Sequence, residues 1–310
     1  MMRMGPQERE AIKRNLFPEA QAAIRDWNAF PWHRDSRKAV TAGQVQSSQA
    51  LAIDFFGTIG QLGCRDQIFC AWGKTWGLTT VGPWSVKLEQ PVPAALLGEP
   101  RSTQVDVAAS DSGTLIFFEC KFTEGDGGSC SQTRPLVTGP HKGKSQCNGR
   151  YELQRNPLNG LSSRCALTAK GVKYWEWIPR VFSIDAEVDH RGCPFAGAWY
   201  QWMRNLSACA ALAETRGQKG IFVLVYAGGA DAVGFPMARR VAGEDWRTLK
   251  RMVHDGPVSL EAVSYERLLQ WALEVAAGSD AEVLMRLGAW LARKMRLATT
   301  YLGGRAPLRK

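Results

Sequence analysis

The chain has 310 residues, of which 45% are hydrophobic, and carries 39 basic against 29 acidic side chains, a formal charge of +10. That length and content can bury a full core, so it reads as one large domain or as one domain with a substantial insertion. No run approaches the roughly 18 uninterrupted apolar residues of a membrane span, and the start of the chain lacks the apolar stretch of a secretory signal, so the expectation is a cytoplasmic protein with no membrane partner.

Residues 1–44 mix charge with Trp27, Pro31 and Trp32 and read as a helix followed by an irregular arm. The stretch 47–60 (SSQALAIDFFGTIG) opens with serines that can cap a helix, and its apolar residues point in nearly every direction, as in a buried helix. Residues 84–92 alternate and read as a strand. Next come TQVDVAA (103–109), a turn signal SDSG (110–113) and TLIFFECK (114–121), a β-hairpin by composition and alternation.

Residues 122–196 are rich in Gly, Pro, Ser and Cys, have only short apolar runs such as 174–184, and read as an insertion. A helix is expected over 198–215, leaving Gln201 and Arg204 together on one side, followed by a buried strand over 220–228. Two C-terminal helices are expected near 259–276 and 280–301. In the second, Leu284, Leu287, Leu291 and Met295 form one stripe with Arg286, Arg293 and Arg296 opposite. The last thirty residues hold Arg286, Arg293, Lys294, Arg296, Arg305, Arg309 and Lys310 against Glu282 alone. Such a patch fits a polyanion, nucleic acid ahead of membrane, with a solvated basic tail as the plain alternative.

The hairpin carries the chemistry. Successive strand side chains alternate faces, so Glu119 and Lys121 point the same way. With a two-residue turn at Ser112 and Gly113, Asp106 falls directly opposite Glu119; a bulged turn would shift that register by one. Two facing carboxylates repel and raise a pKa unless a cation joins them. Magnesium, or manganese, suits an oxygen set and leaves positions open for water and phosphate. Lys121 would then reach a bound water. The plain reading is a strand end with a Glu–Lys pair and a solvated Asp, which sits poorly with the central-strand look of LIFF.

Asp106, twelve intervening residues and then Glu119-Cys120-Lys121 resemble the PD-(D/E)XK nuclease superfamily, whose core runs helix, three-stranded meander, helix, strand. Ser48-Gln49-Ala50, Lys121-Phe122-Thr123-Glu124, and Gln201 with Arg204-Asn205 look more narrowly like a bacterial group of restriction endonuclease-like proteins. The resemblance implies a restriction endonuclease-like α/β core, a mixed central sheet flanked by helices. It divides the chain into an N-terminal helix and arm (1–44), a core (45–230) including the insertion 122–196, and a C-terminal helical basic extension (231–310). It also implies that Asp106 and Glu119 hold the metal, that Lys121 is catalytic and that Gln201 supports the site. Val105 stands where the name-giving proline would be. Asp54 lies in the first helix, where many superfamily members carry an extra acidic ligand; a buried, hydrogen-bonded Asp is the alternative. Glu124 reads as structural or close to DNA.

Cys130, Cys147, Cys165 and Cys193 all fall in the insertion, at spacings too wide for the tight pairs of a familiar zinc motif. Free cysteines are the simpler reading; a zinc ion or an iron–sulfur cluster stapling a poorly hydrophobic insertion is the other. GPHKGKS (139–145) is one residue short of a phosphate-binding loop and reads as a flexible basic loop, so Lys142 and Lys144 join Arg204, Arg286, Arg293 and Arg296 as candidate DNA contacts. The expectation is therefore a magnesium-dependent DNA endonuclease acting in restriction or phage defence, as a homodimer if both strands are cut, with any partner proteins unknown. The alternative is a non-catalytic nucleic-acid-binding module with a cysteine-bound structural metal.

Overall fold

A computed structural model describes residues 4–185, 192–232, 234–254 and 256–303. Its centre is a five-stranded mixed sheet in the order β1 (Ser85–Val92), β2 (Thr103–Ser110), β3 (Thr114–Lys121), β6 (Lys219–Tyr226), β7 (Val258–Ser264). The first three strands form an antiparallel meander, and β6 and β7 continue it in parallel. A separate two-stranded ribbon joins β4 (Gln154–Arg155) to β5 (Ser162–Ser163).

Strand β3 is buried at all eight positions, as its LIFF run requires of the middle of a sheet. Its side chains alternate between two cores. Ile116, Phe118 and Cys120 pack with α2 (Ser48–Ala52), α3 (Arg65–Thr75), α9 (Tyr265–Val275) and α10 (Gly278–Gly303). Leu115 and Phe117 pack with α4 (Ala94–Leu97), α5 (Tyr174–Val181), α6 (Tyr200–Arg216) and α8 (Glu244–Met252). The result is a three-layer α/β/α arrangement that fits a restriction endonuclease-like core, with α6 as the crossover between the parallel strands β3 and β6.

The hairpin turn has the expected two-residue form. Asp111 Oδ1 accepts hydrogen bonds from the backbone N–H groups of Gly113 (2.9 Å) and Thr114 (2.7 Å), an Asx turn that locks the register. The buried helix at 47–60 starts where Ser47 Oγ accepts from Ala50 N (3.2 Å). It then widens into a π-helical turn over Ile53–Gly57, every residue of which is buried.

One expectation fails at the C-terminal side. Residues 259–276 are not a single helix: Val258–Ser264 forms the sheet edge, and only Tyr265–Val275 is helical. The strand alternates Val258 and Leu260 into one core with Val263 into the other, and Ser264 Oγ then accepts from Arg267 N (3.2 Å) to cap the helix. Helices α1 (Pro6–Asn15) and α7 (Pro236–Ala242) complete the α-helices among the described residues. Among the described residues, no helix is long and apolar enough to cross a membrane.

Candidate active site

Strand register assembles the site. In the β2–β3 hairpin, Val107 pairs with Phe118 and Ala108 with Phe117, which sets Asp106 opposite Glu119. On the other side of β2, Leu88 pairs with Val107 and Gln90 with Val105, which sets Glu89 opposite Asp106. Three carboxylates, Glu89, Asp106 and Glu119, thus stand in a row across three adjacent strands.

Each member is held from a different part of the fold. The helix α6 lies over the face of β3 that carries Glu119 and Lys121. From it Asn205 Nδ2 donates to Glu119 Oε2 (2.8 Å), and Gln201 Oε1 accepts from Lys121 Nζ (3.0 Å). Lys121 Nζ also meets Glu119 Oε1 at 2.7 Å, both groups being buried. Asp106 Oδ2 accepts from the backbone N–H of Cys120 (2.7 Å). Glu89 is reached from the arm and from α2: Gln49 Nε2 donates to Glu89 Oε1 (2.8 Å) while Gln49 Oε1 accepts from His33 N (2.9 Å), and His33 Nε2 lies 3.2 Å from Glu89 Oε2.

The charges do not balance. Lys121 offsets one of the three carboxylates, and His33 can offset part of a second when protonated. Burial, then the neighbouring Glu119 and Glu89 charges, push the Asp106 carboxyl well above its usual range despite Lys121 nearby. Burial lowers the Lys121 pKa, but Glu119, Asp106 and Glu124 outweigh it and hold the ammonium charged. Partial burial likewise opposes charge on His33, and Glu89 more than offsets it, so its pKa is raised.

A divalent cation fits this donor set. Ligand atoms of His33, Glu89 and Asp106 all lie within 4.8 Å of one another, the one such cluster of three or more His, Cys, Asp or Glu among the described residues. Magnesium bonds oxygen at about 2.1 Å, which spaces its ligands roughly 3 to 4 Å apart. The buried carboxylates that repel each other without a cation are the groups that would gain most from one.

Glu89 also carries backbone strain. Its φ of 49° is in the left-handed region, although the residue sits within a strand. The side chain is almost fully buried at 3% exposure, and its bonds to Gln49 and His33 hold it there. Glu89→Gly is therefore expected to be more stable than Glu89→Ala by about 1 kcal/mol, read as the difference in thermal unfolding midpoint between the two variants. An alanine variant as stable as the glycine one would show that the strain is not borne at this position.

Of the sequence candidates, Asp106, Glu119, Lys121 and Gln201 meet here. Asp54 does not join them. Its Oδ1 accepts from Phe17 N (2.7 Å), and its Oδ2 from Trp290 Nε1 (3.0 Å) and from Lys294 Nζ at 2.5 Å, in a fully buried ion pair with α10. This is the buried, hydrogen-bonded alternative. Glu124 closes the end of β3, its Oε2 accepting from Phe122 N (2.8 Å) and Thr123 N (3.1 Å).

The basic candidates divide. Arg286 is paired with Glu19 (2.6 Å), Arg296 with Asp231 (3.1 Å) and the buried Lys294 with Asp54, so much of the α10 charge is spent within the fold. Arg293, Lys142 and Lys144 are exposed, and Arg204 is half-buried one residue before Asn205. Arg305, Arg309 and Lys310 lie outside the described residues.

Sequence reasoning assigned no role to Glu89, His33, Gln49 or Asn205. Gln49 and Asn205 stood in the short motifs that carried the resemblance. Glu89 had no turn to fix its register, since a ten-residue connection containing α4 separates β1 from β2. His33 lies 56 residues from its partner in an arm without periodicity.

Comparison with curated proteins gave no match, and neither did comparison with solved structures. Residues 4–294 match the model of the family described as restriction endonuclease associating with ARP. With nearly the whole chain covered, the protein belongs to that restriction endonuclease-like family.

Proposed function

We propose that the protein is a magnesium-dependent DNA endonuclease with a PD-(D/E)XK-type site in which Asp106 and Glu119 hold the metal, Glu89 and His33 converge on Asp106 from the other side, and the Lys121 ammonium orients the attacking water. The observation that carries this reading is the carboxylate row itself, excess negative charge gathered at one end of a buried sheet with a lysine fixed against its last member. A bound magnesium ion would lower the pKa of an attacking water and offset charge on the phosphate.

The chain's own groups have distinct tasks. Gln201 and Glu119 fix the Lys121 ammonium between them, where it can orient the water and stabilise charge growing on the phosphate oxygens. Asn205 holds the far oxygen of Glu119, so that the carboxylate cannot swing toward solvent. Gln49 does the same for Glu89. The exposed side chains Lys142, Lys144 and Arg293, with Arg204 beside the site, are the candidates to neutralise DNA phosphates. The family's description as a restriction endonuclease supports a setting in restriction, of which phage defence is the proposed purpose.

The test is plasmid cleavage by purified protein in Mg²⁺, in Mn²⁺ and in chelator, beside Glu119→Gln. Cleavage is expected with either metal, none in chelator, and a loss of at least about 10²-fold in the variant with DNA binding retained. Wild-type protein inert on duplex, single-stranded and branched DNA in both metals would sink the reading.

A further inference from the structure

Residues 128–165 pose a packing problem. Across all of them the only buried residue is Asn156, while Val137, Leu153, Leu158 and Leu161 are exposed. Apart from one 3₁₀ turn (Ser131–Thr133) and the two-residue strands β4 and β5, the stretch is irregular. Irregular segments longer than about 12–15 residues are uncommon without something to order them, and no apolar core does so here.

Backbone hydrogen bonds draw its cysteines together instead. Cys130 N donates to Ala196 O (3.0 Å), Cys193 N to Gly149 O (2.8 Å), and Cys147 N to Gln132 O (3.0 Å). Three chain segments carrying Cys130, Cys147 and Cys193 are thereby laid side by side. The fourth arrives through the ribbon, where Gln154 pairs with Ser163. Gln154 Nε2 lies 3.8 Å from Cys147 Sγ, and Ser163 Oγ accepts from Cys165 N (3.3 Å).

Cys147 has the local form of a thiolate ligand. Gly149, two residues on, adopts φ 79° and turns its backbone N–H onto the Cys147 sulfur at 3.4 Å. An N–H aimed at sulfur stabilises a thiolate, the ionisation state that metals bind. Cys165, Cys130 and Cys147 are all close enough to Cys193 to act on its thiol electrostatically, as Cys165 and Cys147 are to Cys130.

We propose that Cys130, Cys147, Cys165 and Cys193 form a structural zinc site that staples this coreless segment and seats the start of α6. Zinc bonds thiolates at about 2.3 Å in a closed tetrahedron, which needs sulfurs roughly 3.8 Å apart. Among the described residues no three of these sulfurs lie within 4.8 Å of one another, so binding draws the loops inward. The link to α6 is direct. Gly127 N donates to Ala198 O (2.8 Å), and Gln201 N donates to Gly127 O (2.7 Å), three residues before Cys130. A Cβ at Gly127 would lie 2.7 Å from Ala198 O and 2.8 Å from the Trp202 ring, so the chain can make this approach only as glycine.

The full chain, expressed with added zinc and purified without chelator, is expected to contain about one zinc per protein by elemental analysis, equally in wild type and Asp106→Asn. Cobalt exchanged into the site should give the strong visible bands of a tetrahedral thiolate complex. Cys147→Ser and Cys165→Ser should lose the zinc, and protease should then cut within 128–165. Because wild type and Asp106→Asn give the decisive reading, misfolding of the cysteine variants does not blunt it, and an inactive nuclease can still pass. Protein free of metal, zinc retained in both cysteine variants, disulfides among the four thiols, or iron with absorbance near 400 nm would each overturn the assignment.

Discussion

Lys121→Ala is expected to lower DNA cleavage by roughly 10²–10⁴-fold at saturating magnesium, with DNA affinity nearly unchanged. The ammonium touches Glu119 Oε1 and Gln201 Oε1 and sits almost fully buried. Its loss removes the one fixed positive charge from a row of three carboxylates. Two effects follow that can be separated. Cleavage falls because no cation remains to orient the water, and metal cannot restore it. Stability falls in chelator because Glu119 and Asp106 face each other uncompensated, and magnesium should recover much of that loss by binding the folded state alone. Lys121→Arg should not rescue cleavage, since a planar guanidinium cannot occupy the compact position between Glu119 and Gln201. The measurements are cleavage rates on a labelled duplex and melting temperatures with and without magnesium. A variant that cleaves within about threefold of wild type would remove Lys121 from the chemistry.

Asp106→Asn supplies the opposite sign. It relieves the repulsion that holds this carboxyl above its usual range, so in chelator it should melt higher than wild type while losing cleavage. A site selected for metal binding costs stability until the metal arrives. A structural Glu–Lys pair with a solvated Asp would show the reverse.

How much of this could be read from the chain depends on sequence distance. The hairpin was legible because SDSG signals a turn between two alternating runs; which of two registers it takes was not, and the Asp111 cap on a two-residue turn decides it by setting Asp106 opposite Glu119. The buried helix at 47–60 and the crossover helix at 200–216 were legible from apolar spacing. Glu89 was not, because its register follows from sheet pairing across α4 and not from a turn. The stretch 258–264 failed for a different reason. Val, Leu, Ala and Val joined to a strongly helical run read as one helix, and what decides against it is a vacant sheet edge beside β6 that no local pattern reveals. Asp54 shows how two readings stay open when the partner is distant. An acid in an apolar helix is a functional signal only until its partner is known, and Lys294 lies 240 residues away.

That pair carries the second large effect. Asp54 and Lys294 are 0% and 3% exposed, and they join α10 to the helix that follows the N-terminal arm. Burial raises the Asp54 pKa and lowers that of Lys294, each against the pull of the other, so either group left alone would be a charge without a partner in the core. Asp54→Leu and Lys294→Met are each expected to cost about 3–5 kcal/mol, whereas the two together should cost far less than the sum of the singles. Chemical denaturation of the four proteins measures the coupling. The same variants also settle the role of Asp54: if it serves the fold alone, the double variant will retain metal-dependent cleavage under conditions where it is folded. If it binds metal, the double variant will be stable and inactive, and the carboxylate row at β1–β3 will have to be extended to include it.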